Sequence, residues 1–223
     1  MASKLSRFFH NGAGLEKTLR LIQSMAQIAA VFSVSSTAVR LTTTKLQLAL
    51  SRRFFRFFGF LDSFQRVSTL LSNGEMKSVA GCLDLAQWTF FGLYFVLEDL
   101  TILHAMGVYA VSWEESVMRE ANKFWLYALT VSIVGSLYAL LFAAPREAQV
   151  DEKVDEKKSC KAKKAESTMI STKTGLVKKI VLDSCDILIP ISLLKWHPIG
   201  DLEVGITMVI STVWTGLDIW SQM

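Results

Sequence analysis

Residues 124–144, FWLYALTVSIVGSLYALLFAA, run for 21 positions without a charged side chain. At 1.5 Å per residue, a helix of that length reaches about 31 Å, which matches the hydrocarbon thickness of a bilayer. In a soluble protein such a helix would have to be covered on every side; in a membrane, lipid covers it. Trp125 and Tyr127 stand at one end, as interfacial anchors do. Gly135, Ser136 and Ala139 leave a small patch where another helix can approach. The run therefore predicts an integral membrane protein. A hydrophobic content of 51% and a mean hydropathy of +0.35 agree. Only three prolines occur in 223 residues, and turn clusters are sparse, so the predicted class is all-α.

The remaining apolar segments are less decisive. Residues 204–217, VGITMVISTVWTGL, form a second predicted span, bounded by Glu203 and Asp218 and short at 14 residues. Residues 85–97 and 100–113 are also apolar, but Glu98 and Asp99 interrupt them, and they read as a helical hairpin packed on the membrane or bundle. A first helix is expected over 15–39, after the breaker Asn11-Gly12-Ala13-Gly14. A second is expected over 44–71, ended by Ser72-Asn73-Gly74. Near the end, a helix over 175–195 should break at Pro190 and a last one should run over 201–221. Four regions follow: an amphipathic helical part over 1–123, a transmembrane helix over 124–144, a charged flexible linker over 145–174, and a C-terminal helical pair with the second span over 175–223. The linker mixes both signs of charge with almost no apolar residues, so it should stay solvated.

Within the first region, residues 45–66, KLQLALSRRFFRFFGFLDSFQR, are two-faced. At 3.6 residues per turn, Leu46, Leu50, Phe54, Phe57, Phe58, Leu61 and Phe64 share one face. Lys45, Arg52, Arg56 and Arg66 lie opposite, with Arg53 at the border and Asp62 the single acid. An aromatic side backed by a cationic side suits the boundary between acyl chains and acidic headgroups. Each cation near an anionic leaflet contributes about 1 kcal/mol, and each buried Phe or Leu roughly 1.5–3 kcal/mol. The expected lipid-binding set is Lys45, Arg52, Arg53, Arg56 and Arg66 for headgroups, with Leu50, Phe54, Phe57, Phe58, Leu61 and Phe64 as a wedge. The same pattern also fits a helix packed on its own protein core, but the density of phenylalanine and the one-sided charge favour the membrane.

Charge and motif content narrow the function classes. The net charge is +4, with basic residues concentrated before 124 and in the linker, and acids dominating after 180. The basic face is interleaved with apolar aromatics and no recognition module accompanies it, so nucleic acid is not an expected partner. His10, His104 and His197 are far apart, and Cys82, Cys160 and Cys185 are widely spaced, so neither metal ligation nor a disulfide framework is expected. No phosphate loop, dinucleotide fingerprint or nucleophile elbow occurs. The reading is of a protein that is not an enzyme and takes no cofactor. No secretory signal opens the chain.

Several blocks resemble the peroxin-eleven family of the peroxisomal membrane. Glu16-Lys17-Thr18-Leu19-Arg20-Leu21-Ile22-Gln23 is similar to that family's opening acid-Lys-x-x-Arg-x-x-Gln block. Leu50-Ser51-Arg52-Arg53-Phe54-Phe55-Arg56 is similar to its Ser-Arg-Lys-x-x-Arg motif, and Gly205, Ser211, Thr212, Gly216 and Trp220 to its last span. Ser24, Phe57–Phe58 and Thr212 depart from the family pattern, which marks a divergent, fungal-type member. The resemblance implies a multi-span peroxisomal membrane protein with both termini in the cytosol. It implies peroxisome elongation, proliferation and fission by amphipathic-helix insertion and self-association, with acidic lipids, further copies of the chain, a dynamin-related fission machine and the peroxisomal membrane-protein import receptor as partners. Two alternatives stay open: a channel for small metabolites, and a scaffold that recruits the fission machinery.

Overall fold

A computed structural model describes residues 2–143 and 173–222, and among these every regular element is helical. In chain order these are α1 (Ala2–His10), α2 (Gly12–Phe32), α3 (Ser35–Arg56), α4 (Gly59–Ser72), α5 (Val79–Leu100), α6 (Ile102–Ala105) and α7 (Glu114–Tyr138). α7 continues as a π turn over Ala139–Ala143. Then come α8 (173–186), α9 (Leu188–Leu193) and α10 (Asp201–Ser221). Asn11 starts α2 by accepting the Ala13 N–H at 3.0 Å, and Ser78 starts α5 by accepting the Gly81 N–H at 3.0 Å. α4 stops at Ser72, and Gly74 then takes φ +67°, where a side chain would be strained.

α2 and α3 form a hairpin, and α10 packs against α2. α4 lies on α5, α5 on α7, and α9 on α7. α8 enters the space between these layers: its Asp183 accepts from Ser132 of α7 at 2.5 Å, and its Asp186 accepts from Ser211 of α10 at 2.7 Å. Two glycines permit close approaches between helices distant in the chain. A Cβ on Gly92 of α5 would meet the Phe64 ring at 2.9 Å, and one on Gly205 of α10 would meet Ile28 at 2.6 Å.

Among the described residues, three helices are long and apolar enough to cross a membrane: Val79–Leu100, Glu114–Phe142 and Asp201–Ser221. Over 124–143 the uncharged run thus forms the later part of a longer helix that begins at Glu114. The last helix runs over Asp201–Ser221 as expected, so the uncharged stretch 204–217 is the middle of a 21-residue helix whose acids fall near its ends. The hairpin expected over 85–113 is replaced by one helix of 22 residues ending at Leu100. Glu98 and Asp99 do not interrupt it, because each finds a donor: Tyr94 Oη, one turn earlier in α5, reaches Glu98 at 2.9 Å and the Phe58 N–H, just beyond the end of α3, reaches Asp99 at 3.3 Å.

Other boundaries move as well. The first helix ends at Phe32 instead of 39, where Ser33 and Val34 turn extended. α3 then takes up the threonines at 43 and 44, whose hydroxyls donate to carbonyls four residues earlier. The C-terminal break falls at Ile187, so Pro190 sits in the first turn of α9, where a missing N–H costs nothing. The expected linker lies outside the described residues except for its last two positions, which begin α8.

Candidate membrane-contact site

The helix expected over 44–71 is two helices. α3 stops at Arg56, Phe57 donates its N–H to the Phe54 carbonyl at 3.3 Å, and Phe58 takes φ +70° before α4 starts at Gly59. A phenylalanine in the left-handed region is strained, and the surroundings hold it there. The Phe58 N–H donates to Asp99, and a Cβ on Gly59 would meet the Phe95 ring at 3.3 Å. Arg53 and Arg56 reach the C-terminal end of α5, and Phe64 lies on Gly92 further back along the same helix. The corner at Phe58 splits the single continuous face expected from Leu46 to Phe64.

The structure places all five expected headgroup cations against acids of the same chain. Arg52, buried, donates from Nε to Glu16 at 2.8 Å and from Nη1 to Gln23 at 2.8 Å. Arg53 donates to the Glu98 carbonyl at 2.7 Å and to Thr101 Oγ1 at 2.6 Å. Arg56 donates to the Glu98 carboxylate at 2.9 Å. Lys45 pairs with Asp201 at 2.8 Å, and Arg66 pairs with Asp84 at 3.2 Å with nearly half of its side chain exposed. Arg52, Arg53 and Arg56 therefore face the bundle, and Arg66 is the cation of this set most open to the surroundings.

Electrostatics at Glu16 follow from that packing. Burial alone would raise its carboxyl, but Lys17 at 2.9 Å and Arg52 at 2.8 Å hold it down at about 2. Arg52 is pushed down to about 10, first by burial and then by the neighbouring Arg56 and Arg20, with Glu16 opposing.

The apolar side points the other way. Phe54, Phe58 and Leu61 are 49%, 57% and 57% exposed, and Phe57 is exposed beside them with its ring 4.5 Å from that of Phe58. Phe55, which the helical pattern did not single out, and Leu46 are exposed as well. Leu50 is half-buried, and Phe64 spends part of its surface on Gly92. Phe54, Phe57, Phe58 and Leu61 thus form an outward rim at the corner, Leu50 is set apart from it by burial, and Phe64, although it touches Gly92, is still 38% exposed, as much as Phe57. An inward guanidinium face with an outward aromatic face is the polarity of a helix whose outer surroundings are apolar.

Pattern reasoning missed the partners: Glu16, Gln23 and Arg20 on α2, and Asp186 on α8. Arg20 is buried and donates to Asp186 through both terminal nitrogens, and to Ser211 at 3.1 Å. Gln27 donates to the Asp201 carbonyl at 2.8 Å. A signal was available. Glu16, Arg20, Gln23 and Gln27 recur at helical spacing, which makes one polar stripe along α2, and a buried polar stripe demands polar partners.

The sequence model of the family described as "Peroxisomal biogenesis factor 11 (PEX11)" matches residues 2–220. Among curated relatives, the peroxisomal membrane protein PMP27 of Saccharomyces cerevisiae is 24% identical over 98% of this chain and 94% of its own length. The peroxisomal membrane proteins PMP30A and PMP30B of Candida boidinii are 26% and 25% identical, each over 61% of this chain and 57% of the relative. No solved structure matches the chain.

Proposed function

Because the chain belongs to the PEX11 family of peroxisomal biogenesis factors, we propose that it is a multi-span protein of the peroxisomal membrane that promotes peroxisome elongation and proliferation by seating the α3–α4 corner in one leaflet. The observation that carries this reading is the outward rim of Phe54, Phe57, Phe58 and Leu61 on helices whose arginines are turned inward. In water that rim would be a liability; among acyl chains it gains roughly 1.5–3 kcal/mol per fully buried side chain. Volume inserted into one leaflet and not the other favours curvature. The basic residues then divide the work. Arg52, Arg53 and Arg56 hold the corner to the bundle, while Arg66 and Lys45, at its edges, stand nearest to acidic headgroups. Elongating an organelle takes many copies in one leaflet, so the reading includes self-association, with a dynamin-related fission machine acting on the resulting tubule.

The test is reconstitution of the full chain into liposomes rich in acidic lipid, imaged by electron microscopy. Wild-type protein should draw the vesicles into tubules. A Phe54→Ser, Phe58→Ser, Leu61→Ser variant with unchanged circular dichroism should leave them round. Equal tubulation by that variant would remove the corner from the mechanism.

A further inference from the structure

The arginines that turn away from the surface line a cavity of about 730 Å³ between α2, α3, α5, α7 and α8, within the size range of small-molecule sites. Its basic residues are Lys17, Arg20, Lys45, Arg52, Arg53 and Arg56. Its acids are Glu16, Glu98, Asp183 and Asp186. Lys45 is already taken by Asp201, so five bases face four acids. The partners are also incomplete atom by atom. Among the described residues, the buried Nε–H groups of Arg20, Arg53 and Arg56 find no hydrogen-bond acceptor and Glu98 Oε2 finds no donor, so three unpaired donors stand against one unpaired acceptor in the wall; Arg53 Nε lies 3.7 Å from Glu98, too far for a hydrogen bond. A buried donor left unpaired is costly, and an arginine cannot shed its charge to escape that cost. Arg20 and Arg56 lie close enough to Arg52 to disfavour its charge. The rest of the wall is apolar, with Leu46, Phe91, Trp125 and Leu129 among it.

We propose that this cavity is a binding site for a phosphate-bearing anion with an apolar body, its phosphate oxygens accepting from Arg20, Arg53 and Arg56. Phosphate suits the donors because it offers several acceptor oxygens around one charge centre, and guanidinium N–H groups match it in pairs. The net positive wall asks for an anion, and the apolar remainder asks for carbon. Two sources carry that chemistry: the headgroup of an anionic phospholipid entering from the membrane, and a soluble phosphate ester. This site is separate from the outward rim and does not rest on leaflet insertion.

The experiment uses the full chain in phosphatidylcholine nanodiscs, followed by thermal unfolding. One arm adds inorganic phosphate against chloride at matched ionic strength; the other replaces part of the lipid by phosphatidic acid. Occupancy at saturation should raise the unfolding temperature by about 5 °C in at least one arm. A response to phosphatidic acid alone identifies the headgroup as the source, and a response to inorganic phosphate identifies a soluble one. Arg56→Gln should abolish the rise. Ala49→Phe, which fills the cavity without touching a charge, should abolish it too, while the rim variant should keep it. If the cavity variants do not fold, broadening of the inorganic phosphate ³¹P resonance by wild-type protein, reversed by phosphatidic acid, reads the same site. No response in either arm, with no broadening, would mean a cavity filled by water only. A rise that survives Ala49→Phe would mean charge on the surface. Either result overturns the proposal.

Discussion

α7 and α3 make an instructive pair. Both are more than 20 residues long, and both carry many apolar side chains. From 124 onward α7 has no charge to satisfy, so its side chains ask only for apolar surroundings, and its direction in the fold is a matter of packing. α3 carries Lys45, Arg52, Arg53 and Arg56 on one side and phenylalanines on the other. Its pattern says that two environments exist, but not which lies inside the protein. The outcome depends on acids elsewhere in the chain: Glu16 and Glu98 take the arginines, and the aromatic side is left outward. A uniform helix can be read by itself. A two-faced helix can be read only with its partners.

The sharpest way to break that comparison is to cut one buried pair. Arg52→Ala leaves Glu16 and Gln23 without their donor in a buried place, and removing one member of such a pair costs about 3–5 kcal/mol. Thr130→Val on α7 removes only a hydroxyl that donates back to the Leu126 carbonyl on an exposed surface, and should change stability by less than about 0.5 kcal/mol. Denaturant unfolding of the two variants in the same detergent should separate them clearly. Equal, small losses would mean that α3 is held by its apolar contacts alone.

A pH titration tests the same pair more gently. The Glu16 carboxyl is held at about 2 in the folded chain, against 4.5 for its ordinary value. A lowered folded value means that the native state prefers the carboxylate, so its contribution is complete above pH 4.5 and is lost as pH falls toward 2. Stability measured across that window should decline, and Glu16→Gln should flatten this part of the decline while lowering stability at neutral pH. An unchanged slope in the variant would assign the acid sensitivity to other carboxylates.

How much could be read in advance follows from the same contrast. The run 124–144 marks α7, and Ser72-Asn73-Gly74 marks the end of α4, because each signal is local: absence of charge in one, a left-handed glycine in the other. Glu98 and Asp99 misled as interruptions of α5 because their partners, Tyr94, Arg53, Arg56 and Phe58, come partly from 40 residues earlier. The corner at Phe58 had one local hint, Gly59 in the middle of an otherwise regular pattern, which a helical wheel passes over. The inward turn of Arg52 was foreshadowed only by the polar stripe on α2. Membership of a helix was written in short-range spacing; the sidedness of the site was written in pairings across the fold.

The corner itself offers the finest test, because stability and function should part there. Phe58→Gly relieves the left-handed strain of a residue at φ +70°, a gain of about 1 kcal/mol. It also loses the edge contact with Phe57, worth about 0.5–1.5 kcal/mol. The two nearly cancel, so the unfolding midpoint should move little. The ring is 57% exposed, however, and its removal takes one of the largest side chains off the outward rim. Tubulation of acidic liposomes should therefore weaken in a protein of near wild-type stability. If stability falls sharply, the ring is a structural wedge between α3 and α4. If tubulation is unchanged, the rim acts through Phe54, Phe57 and Leu61 without it.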